Sequence, residues 1–140
     1  MKQHHNTKIT LAVDWADLDL FGHVNNVAFF KYIQSARVNY CELIGLTALN
    51  IEDKLSFMVA SSQCQFKKSL LYPNKIIVSC KTNWIKNSSF QLNYLITLED
   101  GTLIAEAEDV LVTFNHQQKI KANLSEEIRT KIEKLDAEWI

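Results

Sequence analysis

The sequence predicts an α+β fold in which an antiparallel five-stranded sheet wraps one face of a single long central helix. Three observations predict it. The apolar period changes from two residues to about 3.6 near Asn26 and holds that helical spacing to Leu43. The following segment breaks into runs that alternate with period two between turn signals. The last segment returns to helical spacing after Ser125. A lone long helix followed by a meander is α+β organisation, and a sheet folded around the helix is the simplest way to bury its stripe.

The first strand is read from Ile9, Leu11, Val13 and Trp15, which alternate with Thr10, Ala12 and Asp14. The helix carries Phe29, Ile33, Ala36, Tyr40 and Leu43 on one face, with Lys31, Gln34 and Glu42 elsewhere. Asn25 or Asn26 can cap its start, and Gly45 followed by Leu46 suits a left-handed cap at its end. Met58, Ala60, Ser62, Cys64, Phe66 and Lys68 then define one face of a long second strand that ends at a Tyr72-Pro73-Asn74 turn. Ile76 to Trp84 and Phe90 to Leu98 are the third and fourth strands, hinged at Lys86-Asn87-Ser88. Asp100-Gly101 turns the chain into a fifth strand, Thr102 to Phe114. Ser125 caps a short C-terminal helix whose stripe is Ile128, Ile132, Leu135 and Trp139, and Glu126 and Glu127 suit its positive end. This helix is expected to cover part of the outer sheet face, and an edge strand pairing across a two-fold axis would protect the rest.

Composition excludes several function classes. A chain of 140 residues, 47% of them hydrophobic, is long enough for one core and is read as one domain, residues 1–140. Fifteen basic against sixteen acidic residues, with no basic block, argue against nucleic acid as a partner. No apolar run approaches the roughly 20 residues that span a bilayer, so no membrane association is expected. Lys, His and Asp interrupt the first residues, which leaves no signal-peptide core and points to the cytoplasm. Cys41, Cys64 and Cys80 are far apart and odd in number, so they are read as buried reduced thiols. His4, His5, His23 and His116 lack ligand spacing, and no metal is assigned.

The chemically informative stretch is Trp15 to Tyr32, WADLDLFGHVNNVAFFKY. Asp17 and Asp19 sit just before a glycine turn and a helix start. A helix N-terminus presents unpaired N–H groups and about half a positive charge, which can hold a developing oxyanion. A nearby carboxylate can attack a carbonyl or deprotonate water, and ester or thioester hydrolysis needs both devices. No GxSxG elbow and no local Cys/His pair supports a serine or cysteine nucleophile.

The stretch DLDLFGHVNNVAFFKYIQSAR resembles the D-x-D-x-x-G-x-V-x-x-x-x-(Tyr/Phe) signature of the 4-hydroxybenzoyl-CoA thioesterase-like family of hot-dog proteins, which includes the YbgC-type acyl-CoA thioesterases. Its GHVNN portion is also similar to acyl-ACP thioesterases. The resemblance continues through the strand pattern to Phe114. It implies a hot-dog fold, hydrolysis of an acyl-coenzyme A thioester, no cofactor beyond the coenzyme A of the substrate, and a homodimer or homotetramer.

Residue by residue, the resemblance implies that Asp19 is the catalytic carboxylate, as nucleophile or as general base, and that Asp17 is structural. Gly22 turns the chain into the helix, and the backbone N–H near Asn26 is the oxyanion donor. Some relatives carry His or Tyr at the Asn26 position, so a proton relay there does not carry over. His23 is a further candidate base, beside its more ordinary reading as a histidine bonded to the backbone of the turn. Asn25 is a candidate substrate contact. A shared dimer pocket would bring Ser61, Ser62 or Gln63 of the partner subunit toward Asp19. Lys67, Lys68, Lys75 and Lys86 are candidate phosphate contacts or ordinary solvated lysines. Phe29, Phe30 and Tyr32 line an acyl tunnel or belong to the core. Hot-dog relatives of another type use a mid-helix Glu, where this chain has Gln34, Ser35 and Arg37. Acyl-ACP hydrolysis, hot-dog hydratase or dehydratase chemistry, and non-catalytic acyl-thioester binding remain the alternatives.

Overall fold

The structure, a computed structural model, describes residues 7–46 and 55–137. Its elements are β1 (Thr7–Ala12), α1 (Asn26–Leu43), β2 (Leu55–Phe66), β3 (Lys75–Ile85), β4 (Ser89–Leu98), β5 (Leu103–Asn115), β6 (Ile120–Lys121) and α2 (Glu126–Ala137). The sheet runs β1-β3-β4-β5-β2, all antiparallel, with β6 added to the end of β5. The hot-dog architecture expected from the sequence is therefore present, with one strand more than expected. That strand is two residues long, follows a turn in which Lys119 adopts φ 56°, and leaves no periodic trace to read.

Helix α1 forms where both ends are marked. Asn25 caps it, its Oδ1 accepting from the Val27 N–H at 3.1 Å. At the other end Gly45 adopts φ 79°, Gly45 N–H reaches the Glu42 carbonyl at 3.1 Å and Leu46 N–H reaches Cys41 at 2.8 Å, while Leu46 is wholly buried. The buried stripe is Ala28, Phe29, Tyr32, Ile33, Ala36, Tyr40 and Cys41, continued by Ile44. Leu43, expected in that stripe, is half exposed, because a 3.6-residue period carries the face from Tyr40 and Cys41 to Ile44. Each large side chain so buried contributes about 1.5–3 kcal/mol. Together they meet Ile76, Val78, Cys80, Phe90, Leu92, Tyr94, Ile96 and Leu111 from the sheet.

Three other expectations need correction. Strand β1 stops at Ala12, and Trp15 lies exposed in a turn of 3-10 helix, Trp15–Asp17, because the Asp14 carboxylate takes the Ala16 N–H at 2.9 Å and competes with the ladder. Strand β2 does not keep one parity: its pairing with β5 shifts between Val59 and Ser61. Leu55 and Phe57 pack on the core before that bulge and Cys64 packs after it, so the apolar side changes from odd to even positions. Helix α2 does not cover the outer sheet face. Ile128 and Ile132 join the same core as α1, and Asp136 bonds both Tyr40 of α1 and the Thr82 N–H. The outer face carries Gln63, Gln65, Asn93, Glu106 and Glu108 around Leu95, and such a surface needs little cover. Ser125 caps α2 as expected, while Trp139 lies outside the described residues, as do His4 and His5. Cys41 and Cys80 are buried and Cys64 is half-buried, all three as free thiols; burial pushes Cys41 up to about 12 and Cys80 well above the ordinary thiol value.

Candidate active site

The segment between β1 and α1 folds back on itself before the helix begins. Leu18 and Val24 form an antiparallel bridge, Asp19 N–H donates to the His23 carbonyl at 2.7 Å, and Gly22 N–H returns to Asp19 at 3.3 Å. Gly22 sits at φ 79° with open space where a Cβ would stand, so backbone conformation and not crowding calls for glycine. The tip is tied to the rest of the fold through the loop after β2. Val24 N–H donates to Leu70 at 2.9 Å, and His23 bridges Leu71.

The two aspartates differ sharply in what holds them. Asp17 uses both oxygens: Oδ1 accepts from Lys31 Nζ at 2.8 Å and Oδ2 from the Tyr32 hydroxyl at 3.1 Å. Its carbonyl also accepts the Asn25 N–H at 2.8 Å. The Lys31 hydrogen bond holds the Asp17 carboxyl below the usual range, and burial beside this acid pushes the Tyr32 hydroxyl up. Asp17 thus clamps the start of α1. Asp19 uses one oxygen. Its Oδ1 accepts the N–H groups of Phe21 at 2.8 Å and His23 at 3.1 Å, and Oδ2 has no partner among the described residues.

Asp19 opens into a cleft of about 460 Å³ lined by His23, Val24, Asn25, Asn26 and Phe29 on one wall and by Phe66, Lys67, Lys68, Ser69 and Leu70 on the other. Asn26 is the first residue of α1, and its N–H has no partner among the described residues. The residue with an unpaired helix-start donor and the carboxylate with one uncommitted oxygen therefore line the same cleft. That pair can polarise a carbonyl and attack it, or activate a water against it. Asn25 lines the cleft while its Oδ1 caps the helix, which leaves its amide nitrogen to donate.

Not every candidate lies here. Gly22 shapes the turn without lining the cleft. Ser61, Ser62 and Gln63 lie outside this chain's own cleft, in the middle of β2. Register separates them: Ser62 stands opposite the buried Asp109 and faces α1, whereas Ser61 and Gln63 stand opposite Val110 and Glu108 on the outer side. Phe29 lines the cleft with its ring edge-on to Phe66 at 5.1 Å, but Tyr32 is committed to Asp17 and Phe30 is outside the cleft. Lys75 and Lys86 are also outside it, and Lys86 lies over the Trp84 ring at 4.7 Å. Sequence reasoning missed Phe66, Ser69 and Leu70 as lining residues. Phe66 reaches the site from the end of β2, and Ser69 and Leu70 through the pairing of two loops far apart in the chain, for which the sequence carries no local signal. Among the described residues no group of His, Cys, Asp and Glu could hold a metal ion.

The sequence matches the thioesterase-like superfamily over residues 13–132. It is 29% identical to the uncharacterized protein YsmA of Bacillus subtilis (strain 168) over 85 residues, 61% of this chain and 56% of that one. It is 22% identical to the long-chain acyl-CoA thioesterase FadM of Escherichia coli (strain K12) over 119 residues, 84% of this chain and 90% of FadM. The fold superposes on a thioesterase from Thermus thermophilus, solved with coenzyme A and Zn, with a TM-score of 0.84 and 28% identity over 97% of this chain and 98% of that one. The chain belongs to the thioesterase-like superfamily and is a thioester hydrolase of hot-dog fold.

Proposed function

We propose that the protein hydrolyses an acyl-coenzyme A thioester to the free acid and coenzyme A. The observation that carries this reading is the single cleft shared by the Asp19 carboxylate and the start of α1. The carbonyl oxygen of the thioester points at the Asn26 N–H, where the helix dipole favours negative charge. Asp19 Oδ2 acts from the other side. It either takes a proton from a water that attacks the carbonyl carbon, the C–S bond then breaking and the thiolate taking up that proton, or attacks the carbon itself, so that the C–S bond breaks to leave thiolate and an acyl-aspartyl anhydride, which water then hydrolyses to the acid, restoring the carboxylate and supplying the thiolate's proton. The two backbone N–H bonds on Oδ1 aim the carboxylate. The Asn25 amide nitrogen and His23 contact substrate or water from the same wall.

FadM acts on long-chain acyl-CoA and the Thermus protein binds coenzyme A, which supports an acyl-CoA substrate here. A second copy of the chain completes the site in this reading, as a homodimer or a dimer of dimers. Strand β2 is a 12-residue sheet edge with Met58, Val59 and Phe66 exposed, and an edge of that kind invites pairing. Pairing would bring Ser62 of the partner subunit toward Asp19. No helix among the described residues is long and apolar enough to cross a membrane, and we place the protein in the cytoplasm.

The test is thiol release from a panel of acyl-CoA esters at catalytic protein concentration, which keeps the background from three cysteines low. Turnover is expected, and the rank order of esters gives the acyl class. Binding without turnover contradicts the reading and points to a binding protein, while a change in enoyl absorbance without thiol release points to a hydratase.

A further inference from the structure

We infer that Phe66 ends the acyl pocket, so that the cleft takes short acyl groups and the ring of this one residue sets the limit of their length. The inference rests on the thioester-hydrolase reading of the same cleft and adds the acyl class to it.

An acyl group starts at the carbonyl site beside Asn26 and Asp19. Phe29 lies one helical turn beyond Asn26 on the same face of α1, and both line the cleft. With Val24, Leu70 and Phe66 it makes the apolar part of that cleft, where a hydrocarbon group gains most by leaving water. Three of these four residues are fixed. Val24, Phe29 and Leu70 are 6%, 3% and 1% exposed and belong to the core, so a longer chain could pass them only by displacing packed interior. Phe66 is 47% exposed and is the one apolar wall of the cleft that the core does not hold. The other aromatic candidates do not extend the pocket: Tyr32 is tied to Asp17, and Phe30 lies outside the cleft.

Phe66 holds the last position of β2, opposite Ala105, on the inner face it shares with Cys64 and Ser62. Its ring reaches from the sheet edge to the helix and meets Phe29 edge-on, with centroids 5.1 Å apart and planes at 83°. Immediately after it the N–H groups of Lys67 and Lys68 both donate to the Ile104 carbonyl, at 2.8 and 3.1 Å, which ties the backbone that carries the ring to a strand of the core. The next inward side chains along β2 are those of Cys64 and Ser62, and both are small. The space between the edge strand and α1 is therefore closed at its cleft end by one large side chain, with small ones behind it. An acyl chain ends against that ring. Without the ring it runs on along α1 toward Cys64.

The experiment measures kcat/KM of the full chain on straight-chain acyl-CoA esters from acetyl to palmitoyl. Calorimetric titration adds the affinities of S-alkyl-CoA thioethers of the same lengths, which bind without being cleaved. In the native protein each added methylene should raise both quantities by up to about fourfold while the chain is short, the worth of one buried methylene. Once the chain meets the ring, further methylenes should add nothing or lower them. Phe66→Ala should move that plateau to longer chains and raise palmitoyl relative to butyryl by about tenfold or more, the gain from two or three further methylenes. Phe66→Trp should move it to shorter ones. Leu43→Ala, comparably exposed at the far end of α1, should keep the native profile. A native profile that climbs all the way to palmitoyl, or a plateau that stays in place in both Phe66 variants, overturns the inference. If no thioester is hydrolysed, the proposed function falls, and the thioether affinities still decide whether Phe66 sets the length.

Discussion

The two ends of α1 treat acidic side chains in opposite ways. At the N-terminal end Asp17 and Asp19 lie in an open turn, where Asp17 is held low by the Lys31 hydrogen bond and Asp19 keeps one oxygen uncommitted. Under the middle and C-terminal end two acids, Asp109 and the half-buried Asp136, are tied into the packing of α1 against the sheet and α2. Asp109 is wholly buried, its Oδ2 accepting from Arg37 Nε at 2.8 Å and from the Tyr94 hydroxyl at 2.7 Å. Asp136 accepts from the Tyr40 hydroxyl at 3.0 Å and from the Thr82 N–H at 3.1 Å, beyond the point where β1 stops pairing with β3, and burial raises its proton affinity. The buried end thus spends its carboxylates on holding α1, α2 and the sheet together. The open end keeps one in reserve, and availability rather than residue type distinguishes the acid we propose to be reactive.

The comparison breaks most visibly at the buried pair. Arg37→Ala leaves the Asp109 carboxylate inside the core with Tyr94 alone and should lower the free energy of unfolding by about 3–5 kcal/mol, read from denaturant midpoints. A loss below about 1 kcal/mol would show that the pair is better solvated than its burial implies. Tyr40→Phe removes the hydroxyl shared by Thr82 and Asp136 and should cost about 1–3 kcal/mol in the same assay. It should leave the rate per folded molecule unchanged.

The smallest effect sharpens the contrast through pH. Asp136 has a folded pKa raised above the ordinary 3.8, mainly by burial, so its contribution is full below that value and fades as pH rises through the raised folded value. Asp17 has a lowered folded pKa, so its contribution is present above 3.8 and is lost as pH falls through the lowered one. Stability of the native protein minus that of Asp136→Asn should therefore grow on acidification toward pH 3.8, and the difference from Asp17→Asn should shrink below it. The Asp17 effect should stay below about 1 kcal/mol, because Lys31 is mostly exposed. Both differences moving the same way with pH would contradict the contrast between the ends.

The sequence made the open end far more legible than the buried one. Caps and periodicity are local, so α1, its start at Asn25 or Asn26, its Gly45 end and the Ser125 cap could be read directly. The D-x-D turn and helix start are contiguous, which is why Asp19, Asn25 and Asn26 could be placed together. Of the second wall only Lys67 and Lys68 were among the candidates; Phe66, Ser69 and Leu70 could not be foreseen, because their place depends on the pairing of His23 with Leu71 and on the Lys67 and Lys68 N–H groups meeting the same Ile104 carbonyl. The Arg37–Asp109 pair was equally hidden: strand alternation marks which face Asp109 occupies but not the cation 72 residues away that makes its burial tolerable. The change of parity in β2 shows the same limit, since one extra residue in a strand alters which positions face the core without altering composition.

The most direct test of the account sets Asp19→Asn beside Asp17→Asn in the thiol-release assay on the preferred acyl-CoA, with both variants checked for native unfolding midpoints. The account predicts that Asp19→Asn loses about 100- to 10,000-fold in kcat, the span expected for a positioned acid-base or nucleophilic group, while Asp17→Asn keeps its rate to within about tenfold. Full activity in Asp19→Asn, or equal losses in the two variants, would contradict it.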